Sequence, residues 1–559
     1  MVEDIFNAIS KTETCYYVDS FTSKKFKEFH KVICIDTEIT FNEKLLDVKL
    51  YVAFPKNLKV NLPKIFIDEN SYEPIKYIPH INSDLSICLL DESENFTFDS
   101  EMLPSITLYL IEKAKSIIRI KQDLNSTSLE FQREFYAYWG IKYSTKDKEM
   151  EKGLSLLNPD GGDEVKAIKL KNKIANYEYL IYNDEKLFAN FKPYLELNNI
   201  KYSEINTFII DYKRVDPPFD LTYFDSYIYL STINDPHFKR IFNHSLGSDI
   251  LIIFKKEYNE FYGWIYPRLM QIPKGFREKS NWEKLQMPFT KDLNVERISF
   301  SNITPERLSK RTNGEIIHLK DSVNVIGLGS VGSNLLHFLS KLPLKKMILV
   351  DKDCLKVENV FRHNYGFNYL LINKARIART NLLDKNPFIQ IDIHQKDIIE
   401  VLEHDPLFLN NVDYTFIVIG ITRIEAYLLD YMHKNSVPKP VFLIWVEPYL
   451  ASGQIMYITP KDFNKAKNIL LNFPYHVLGN NNRLYLKEGS CQTGYYPYSE
   501  TYLTLFLSSV FPYIYDIVIK HKGVESKIYS WIGDLDYISS MGFNFNQLGE
   551  SFSLKIENL

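Results

Sequence analysis

Residues 323–342, VNVIGLGSVGSNLLHFLSKL, constrain the fold more than any other stretch of the chain. An apolar run ends there in a glycine-rich loop that opens a helical pattern, and further apolar runs begin at Met347, Thr415 and Val441. Continuous apolar runs separated by helical stretches are typical of a parallel sheet that is covered on both faces. The sequence therefore predicts a doubly wound α/β domain over residues 301–559.

The glycine loop, GLGSVG, has the spacing of a nucleotide-binding turn. Gly327, Gly329 and Gly332 allow a tight turn and close approach of the backbone, so that the helix N-terminus can face a phosphate. Asp351 ends the next apolar run, where its carboxylate could bind a ribose hydroxyl. These features fit an NAD-dependent oxidoreductase as well as an ATP-binding enzyme, and a purely structural glycine turn is the plainest alternative.

The residues after Asp351 separate the two nucleotides. The stretch DKDCLKVENVFRHNYGF contains Asp353, Asn359 and Arg362, and Lys374 follows in LLINKARIAR. Two fixed cations soon after the ribose carboxylate suit a triphosphate, because arginine and lysine stabilise the charge that develops on phosphate during nucleotidyl transfer. An ordinary surface position is the alternative for Lys374, but the set as a whole favours ATP.

The order G-x-G-x-x-G, D-x-D, N-x-x-R and lysine resembles that of the adenylating superfamily, which includes the ubiquitin-activating enzymes and their bacterial sulfur-carrier relatives. The resemblance implies a Rossmann-like domain in which Asp351 binds ribose, while Arg362 and Lys374 hold the triphosphate of ATP. It implies further that the C-terminal carboxylate of a protein attacks the α-phosphate to give an acyl adenylate. In that family an upstream arginine often completes a neighbouring subunit's site. Arg311 is the candidate here, and a homodimer is expected.

Two departures from this family pattern bear on the chemistry. The family usually holds magnesium with an aspartate after its fourth strand, whereas FIVIGITRIE at 416–425 carries no carboxylate before Glu425. Asp353 is the predicted Mg²⁺ ligand in its place. The paired C-x-x-C zinc site of the sulfur-carrier enzymes is missing as well, which points away from sulfur transfer.

Residues 1–145 have the pattern of an α+β domain. KVICIDTEITF at 31–41 and DVKLYVAF at 47–54 alternate apolar and polar residues, and KIFID follows from Lys64, as in antiparallel strands with one buried face. Helical spacing follows at 102–120 and again from Ser126. The breaker-rich stretch NPDGGDE at 158–164 favours a boundary. Residues 165–300 alternate short strand-like and helical stretches, and we assign residues 146–300 to a middle linker domain.

A cysteine in a polar loop is the first candidate nucleophile. Cys491 lies in EGSCQTGYYPYSE, just before a helical pattern, where it would be accessible and where a nearby helix N-terminus would favour its thiolate. Cys491 resembles the loop cysteine that accepts the acyl group from AMP as a thioester in ubiquitin-activating enzymes. An inert loop thiol is the alternative.

A second cysteine, Cys88, stands in IPHINSDLSICLLD. A lone cysteine in an apolar run is usually a small core residue, but this stretch resembles the active-site segment of ubiquitin-conjugating enzymes, with Pro79 and the run SICL in matching positions. His80 stands where that family has the asparagine that stabilises the oxyanion during attack by lysine. The resemblance makes Cys88 the predicted second acceptor of the acyl group and His80 the predicted oxyanion donor.

Composition and charge exclude several other classes of protein. Formal net charge is only −3, which gives nucleic-acid binding no support from the whole chain. No apolar run approaches the length of a membrane span, and the N-terminus lacks the pattern of a signal peptide. Five scattered cysteines without a C-x-x-C pair argue against a disulfide scaffold. We expect a cytoplasmic protein that binds neither membrane nor nucleic acid.

A conjugating-type domain followed by an activating-type domain resembles the single-chain enzymes of bacterial antiphage (CBASS) operons, in which WVEP at 445–448 and RHNYG at 362–366 also have counterparts. The resemblance implies that the activated partner is the C-terminal tail of a cGAS-like nucleotidyltransferase and that the acceptor is a lysine of a target. A bacterial ubiquitin-like protein is the alternative partner. An NAD-dependent oxidoreductase and a non-catalytic scaffold are the alternatives of other classes.

Overall fold

The computed structural model describes residues 2–18, 26–41, 43–75, 78–82, 84–90, 98–119, 139, 151–158, 164–211, 221–232, 249–255, 261–266, 275, 277, 283–284, 286–288, 291–315, 318–479, 486–487 and 494–559. By its internal contacts the chain divides into two compact units. The first comprises Met1–Asp184 and Lys201–Asn302, and the second comprises Glu185–Ile200 and Ile303–Leu559. The three predicted domains, 1–145, 146–300 and 301–559, stay a prediction at the level of their boundaries.

The first unit begins with a four-stranded antiparallel sheet in the order β1-β2-β3-β4. Its strands are β1 Thr14–Val18, β2 Lys31–Phe41, β3 Lys44–Phe54 and β4 Lys64–Ile67. The alternation in residues 31–41 and 47–54 therefore does mark strands, and β3 begins three residues before the predicted start. The buried side chains of one face, such as Ile33, Ile35 and Leu50, form part of an apolar core.

Three helices of the described residues accompany this sheet, namely α1 Val2–Ile9, α2 Glu69–Tyr72 and α3 Leu103–Arg119. Helix α3 matches the spacing predicted at 102–120, and it buries Leu103, Leu110, Ile111 and Ile118 in the same core as the sheet. The second predicted helix, from Ser126, lies outside the described residues apart from Trp139, which is buried and donates from Nε1 to the carbonyl of Ile298 at 3.0 Å.

A closed seven-stranded barrel forms the rest of the first unit, in the order β10-β11-β5-β7-β6-β8-β9. Its strands are β5 Glu151–Leu156, β6 Lys166–Ile174, β7 Tyr177–Tyr182, β8 Tyr202–Asp211, β9 Ile250–Lys255, β10 Phe261–Tyr266 and β11 Glu296–Asn302. The sequence predicted alternating strands and helices here, without a barrel. Gly263 shows how tightly the wall closes, since a Cβ at this position would stand 2.4 Å from the carbonyl oxygen of Ile252.

Two further helices fall within the region assigned to the linker, α4 Glu185–Leu197 and α5 Tyr223–Ser231. Helix α4 belongs to the second unit, where Phe191 packs against Phe388 with ring centroids 5.8 Å apart. Residues of the predicted middle region thus contribute to both compact units. Its barrel strands β9 and β10 share an apolar core with the N-terminal sheet.

The second unit is built on an eight-stranded sheet in the order β14-β13-β12-β15-β16-β17-β20-β21. The first five strands are parallel and the last three continue the sheet in antiparallel fashion. The strands are β12 Ser322–Ile326, β13 Lys346–Val350, β14 Gln390–His394, β15 Tyr414–Ile417, β16 Val441–Val446, β17 Ser452–Ile458, β20 Lys527–Ile532 and β21 Leu554–Asn558. Strands β18 Leu486–Lys487 and β19 Gly494–Tyr495 form a separate pair.

Helices pack on both faces of this sheet, as its continuous apolar strands require. They are α6 Pro305–Asn313, α7 Ser330–Leu339, α8 Lys374–Lys385, α9 Ile398–His404, α10 Thr422–Lys434, α11 Phe463–Leu471, α12 Glu500–Val518 and α13 Leu535–Ser540. Helix α12 is long and apolar enough, by length and composition, to cross a membrane. It buries Leu503, Phe506, Leu507 and Val510 in the core of this unit, as a core helix does.

Candidate adenylation and thiol sites

The glycine loop connects β12 to α7 and is built as the sequence predicts. Gly327 has a left-handed φ of 93°, and a Cβ there would lie 2.6 Å from the carbonyl oxygen of Val418. Gly332 packs against the loop, because its Cβ would lie 2.1 Å from the carbonyl oxygen of Gly327. Gly329 has open space around it and provides the N-cap of α7. The helix N-terminus is thus open to an incoming group at Gly329.

Asp351 lies at the end of β13, beside this loop. Its Oδ2 accepts a hydrogen bond from the backbone N–H of Leu328 at 2.6 Å, and its Oδ1 accepts one from Asp353 at 2.8 Å. Burial raises the pKa of this carboxyl above its usual value, although the Lys374 ammonium opposes the rise. The side chain is therefore fixed in one orientation next to the glycine loop, as a ribose-binding carboxylate must be.

Lys374 begins α8, and its side chain is buried. Its Nζ lies 3.6 Å from Oδ2 of Asp353, whose side chain is exposed. Asn373 fixes this corner, because its Oδ1 caps α8 and its Nδ2 donates to the carbonyls of Asp351 and Asp353 at 2.9 and 3.2 Å. A surface position for Lys374 is excluded, and Asp351 and Lys374 lie at one corner of the sheet.

Arg362 ends a 3₁₀ turn, Val357–Arg362, that leads away from Asp351. Its guanidinium carbon lies 5.8 Å from the centre of the Tyr498 ring, and its carbonyl accepts hydrogen bonds from Ser330 and from Asn334, the latter at 3.1 Å. The buried Nε of Arg362 has no hydrogen-bond partner within the described part of the chain. Asn359 has a local role, since its Oδ1 accepts from the backbone of Lys356 at 3.3 Å.

Two residues that follow this turn, at positions 363 and 365, had no predicted role. His363 and Tyr365 are both buried, and their rings lie 5.9 Å apart. Burial, together with the charges of Lys374 and Arg362, lowers the pKa of His363 to about 4. Nothing in the apolar periodicity signals that these two side chains face the predicted nucleotide residues. Only their position between Arg362 and Lys374 in the sequence could have done so.

Mg²⁺ can be tested against the carboxylates that the structure describes. Glu425, the first carboxylate after β15, is only 2% exposed and accepts a hydrogen bond from the backbone of Gly420 at 2.8 Å. Burial also raises the pKa of Glu425 to about 7, and a side chain so enclosed offers a metal ion little access. The exposed carboxylate of Asp353 fits better, because Mg²⁺ commonly binds one or two carboxylates together with substrate phosphates.

Arg311 lies in the last turn of α6, with its side chain exposed to solvent. A side chain at such a position is available to another molecule. The predicted contribution of Arg311 to a neighbouring subunit stays a prediction.

Cys88 lies in the first unit, at the end of a tight loop. The loop doubles back so that the backbone N–H of Cys88 donates to the carbonyl of His80 at 2.7 Å, and Ile81 pairs with Ile87. Asn82 donates from Nδ2 to Oγ of Ser86 at 2.9 Å, which ties the two arms together. The loop therefore brings the backbones of His80 and Cys88 together, although the two residues are eight positions apart in sequence.

His80 has a φ of 66°, in the left-handed region. Asparagine, aspartate and histidine are the side chains that most often adopt this conformation. Histidine is thus a physically reasonable replacement for the asparagine of the conjugating enzymes, since both tolerate the turn that places them beside the cysteine.

The Cys88 side chain is exposed, which contradicts the core alternative. It opens into a cleft of about 1280 Å³ that is lined on one side by the sheet and on the other by α3. The walls include Ile65, Leu89, Phe98 and Leu110, and two cationic residues, Lys64 and Lys113, stand among them. A cleft of this size leaves room for an extended peptide and for an incoming amine.

Cys491 lies outside the described residues, so its predicted role stays a prediction. The structure does describe segments on both sides of it in sequence. Glu447, in the WVEP stretch, accepts hydrogen bonds from Nδ1 of His476 at 2.7 Å and from the backbone of Val477 and Leu478 at 3.1 Å each. Tyr449 donates its backbone N–H to the carbonyl of Pro497 at 2.5 Å. The turn at 447–450 therefore anchors both flanking segments.

Two regions of the chain match models of known protein families. Residues 314–474 match the ThiF family. Residues 19–147 match the prokaryotic E2 family B. The predicted fold class is thereby confirmed: the chain is a multidomain α/β protein with an N-terminal E2-like domain and a C-terminal Rossmann-like domain of the ThiF type.

Curated relatives that the chain matches include two proteins called ubiquitin-like modifier-activating enzyme 5. The Caenorhabditis elegans protein is 27% identical over 181 residues, which are 31% of this chain and 40% of the relative. The Caenorhabditis briggsae protein is 28% identical over 147 residues, which are 25% of this chain and 34% of the relative. The chain thus spans two fifths or less of the length of these relatives.

Solved structures with partial likeness include selenomethionine PaaA, at 13% identity and a TM-score of 0.28. They also include Escherichia coli MccB with ATP, at 13% identity and a TM-score of 0.29. Each likeness covers 43% of this chain and 64% of the other. The assignment rests on the two family matches and on the site geometry.

Proposed function

We propose that this protein activates the C-terminus of a partner protein with ATP and conjugates it to an amine. The observation that carries the proposal is the Asp351 carboxylate, pinned by two backbone amides beside the glycine loop, with the buried Lys374 ammonium near it. That arrangement supports a nucleotide with both a ribose and several phosphates, and so it favours ATP over NAD.

In the first step a carboxylate oxygen of the partner's C-terminus attacks the α-phosphorus of ATP, and pyrophosphate leaves. Lys374 and Arg362 stabilise the charge on the phosphates during this step, since fixed cations in a site that excludes water act strongly on developing charge. Mg²⁺ bound at Asp353 would neutralise further phosphate charge. The product is an acyl adenylate.

In the following steps the acyl group moves between thiols. The Cys491 thiolate attacks the acyl carbon and AMP leaves, then the Cys88 thiolate takes the acyl group from Cys491 by the same exchange. A lysine amine of the target finally attacks the Cys88 thioester, forming an amide and releasing the thiol. Dividing acyl transfer into such steps is covalent catalysis, and the exposed Cys88 in its open cleft supports the last one.

The partner we propose is the C-terminal tail of a cGAS-like nucleotidyltransferase in a cytoplasmic antiviral system of the CBASS type, primed by its conjugation. A bacterial ubiquitin-like protein is the alternative substrate for the same chemistry. The exposed Arg311 supports a homodimer in which each subunit completes the other's nucleotide site.

The test is ATP–pyrophosphate exchange by the purified full chain, with each candidate partner added in turn. Exchange that depends on one partner's intact C-terminus, followed by a thiol-sensitive adduct on gels, is the expected result. Binding of NAD without any partner-dependent exchange would instead favour the oxidoreductase. An inactive chain with every candidate partner would favour the scaffold.

A further inference from the structure

Besides the Nε of Arg362, two buried polar atoms at the predicted nucleotide site have no partner within the described part of the chain, namely His363 Nε2 and the Tyr365 hydroxyl. The side chains are only 8% and 6% exposed. A buried polar atom without a hydrogen bond is costly, and most such atoms in native proteins are satisfied by protein, water or ligand. Two of them within three residues therefore indicate a bound group that supplies the missing hydrogen bonds.

The hydrogen-bonding character of His363 follows from its other nitrogen. Nδ1 lies 2.9 Å from the carbonyl oxygen of Asn359. A carbonyl oxygen can only accept, so Nδ1 carries the proton and donates it. The imidazole is neutral, because burial and two neighbouring cations lower its pKa to about 4. Nε2 is therefore a lone-pair acceptor that needs an O–H or N–H from its partner.

Charge around the two rings indicates which part of a nucleotide they face. The positive charges that act on the His363 ring come from Lys374 and Arg362, and the carboxylate that acts on the Tyr365 phenol is that of Asp351. The His363 ring is thus near the predicted phosphate residues, and the Tyr365 ring is near the predicted ribose residue. Phosphate oxygens are acceptors and cannot satisfy a lone pair, whereas ribose hydroxyls can donate to one.

We propose that His363 Nε2 accepts a hydrogen bond from a ribose hydroxyl of bound ATP, and that the Tyr365 hydroxyl binds the same sugar. This inference rests on the proposed function, because it assumes that ATP occupies the site. With Asp351, the His363 and Tyr365 side chains would then form the ribose-binding site. Selection of a ribonucleotide would depend on a neutral histidine.

Isothermal calorimetry on the full chain measures this directly, with ATP, 2′-deoxy-ATP, 3′-deoxy-ATP and purine riboside triphosphate as ligands. We expect His363→Leu to weaken ATP binding by about 10- to 100-fold, the usual effect of leaving a buried hydrogen bond unmade. For the deoxy analogue that lacks the donating hydroxyl, wild type and variant should bind alike. His363→Gln keeps an acceptor and should recover most of the affinity. Tyr365→Phe, which removes only the hydroxyl, tests the same sugar independently should His363→Leu fold poorly.

His404→Leu is the matched control, since His404 makes the same Nδ1 contact to a carbonyl four residues earlier, at 2.7 Å, on an exposed helix end. The control should bind all four ligands as wild type does. Three outcomes would overturn the inference. The variants could lose the same affinity for all four nucleotides, or lose affinity for every nucleotide except purine riboside triphosphate. Alternatively, both His363→Leu and Tyr365→Phe could bind ATP with unchanged affinity. If wild type binds no ATP at all, the proposed function itself fails.

Discussion

The nucleotide region and the Cys88 region differ in how far their functional groups are buried and in which contacts hold them in place. Around Asp351 the functional groups are largely buried, and backbone amides and the Asn373 side chain hold them in place. Around Cys88 the thiol is exposed, and the loop is held by its own backbone and by the hydrogen bond between the Asn82 and Ser86 side chains. Fixed dipoles stabilise a small charged ligand most strongly in a site that excludes water. A thiol that must meet two macromolecules in turn has to remain accessible.

The two regions also differ in where they store unfavourable free energy. In the nucleotide region it lies in desolvated polar groups. These are the Asp351 carboxyl with its raised pKa, and His363 Nε2 and the Tyr365 hydroxyl, which are buried without a hydrogen-bond partner among the described residues. In the Cys88 region it lies in the backbone, because His80 and Leu85 both have a φ of 66° without being glycine. In the nucleotide region, substitutions should therefore change ligand binding and folding stability in different directions. In the Cys88 region, substitutions should distinguish effects on the turn from effects on the reaction.

The largest effect is expected from Cys88→Ala. Without this thiol no acyl group can reach the amine, so amide product should be lost completely while the thioester on Cys491 accumulates. Gels run with and without reducing agent distinguish the two, since thiol cleaves a thioester and leaves an amide intact. Cys15→Ala, a half-buried strand residue, serves as the control and should conjugate normally.

Cys491→Ala completes that experiment. It should block thioester formation at both cysteines while pyrophosphate exchange continues. Normal charging of Cys88 in this variant would show that Cys491 is not the first acceptor, and amide product from Cys88→Ala would remove Cys88 from the reaction.

Asp351→Asn should separate function from stability in the nucleotide region. Loss of charged hydrogen bonds to ribose should slow pyrophosphate exchange by roughly 1000-fold, since each such bond contributes about 1.5–3 kcal/mol. Burial raises the pKa of the Asp351 carboxyl, so its ionised form opposes folding at neutral pH and the variant should melt above wild type.

The sign of that stability change is testable by pH. The penalty of a raised carboxyl pKa is absent below the unfolded value and appears as pH rises through the folded one. The melting difference between Asp351→Asn and wild type should therefore vanish in acid. A variant that melts lower than wild type at neutral pH would mean that the carboxylate holds the glycine loop together rather than waiting for a ligand.

His80 should show an intermediate effect that depends on the replacement. If it donates to the oxyanion, His80→Ala should slow discharge of Cys88 to lysine by about 100- to 1,000-fold, while loading of Cys88 persists. His80→Asn keeps both a donor and a residue that tolerates a left-handed φ, and should stay within about 3-fold of wild type. Loading and melting temperature that fall together in His80→Ala would assign His80 to the turn alone.

Much of this comparison was visible in the sequence, because both regions carry short motifs whose spacing reflects local geometry. GLGSVG and the aspartate at the end of the next strand specify a strand–turn–helix, and the apolar runs on either side of the loop locate it in the sequence. The barrel was not visible, since its closure depends on pairings such as β11 with β5, whose partners are about 150 residues apart. His363 and Tyr365 were missed for a related reason, as burial beside a polar site leaves no periodic signal.

The smallest effect concerns His476, which anchors one flank of the segment that contains Cys491. Its hydrogen bond to Glu447 raises the pKa of His476, so protonation favours the folded state. The stabilisation should be fully present below the unfolded pKa and should disappear as pH rises through the folded one. Because the side chain is 54% exposed, solvent screening should hold the effect below about 1 kcal/mol. Denaturant unfolding of wild type and His476→Gln across this range measures it, and Glu447→Gln provides the background in which the pH-dependent difference should vanish. A difference that grows with pH would mean that the imidazole stabilises this anchor as a neutral group, and that Glu447 works through the backbone of Val477 and Leu478 alone.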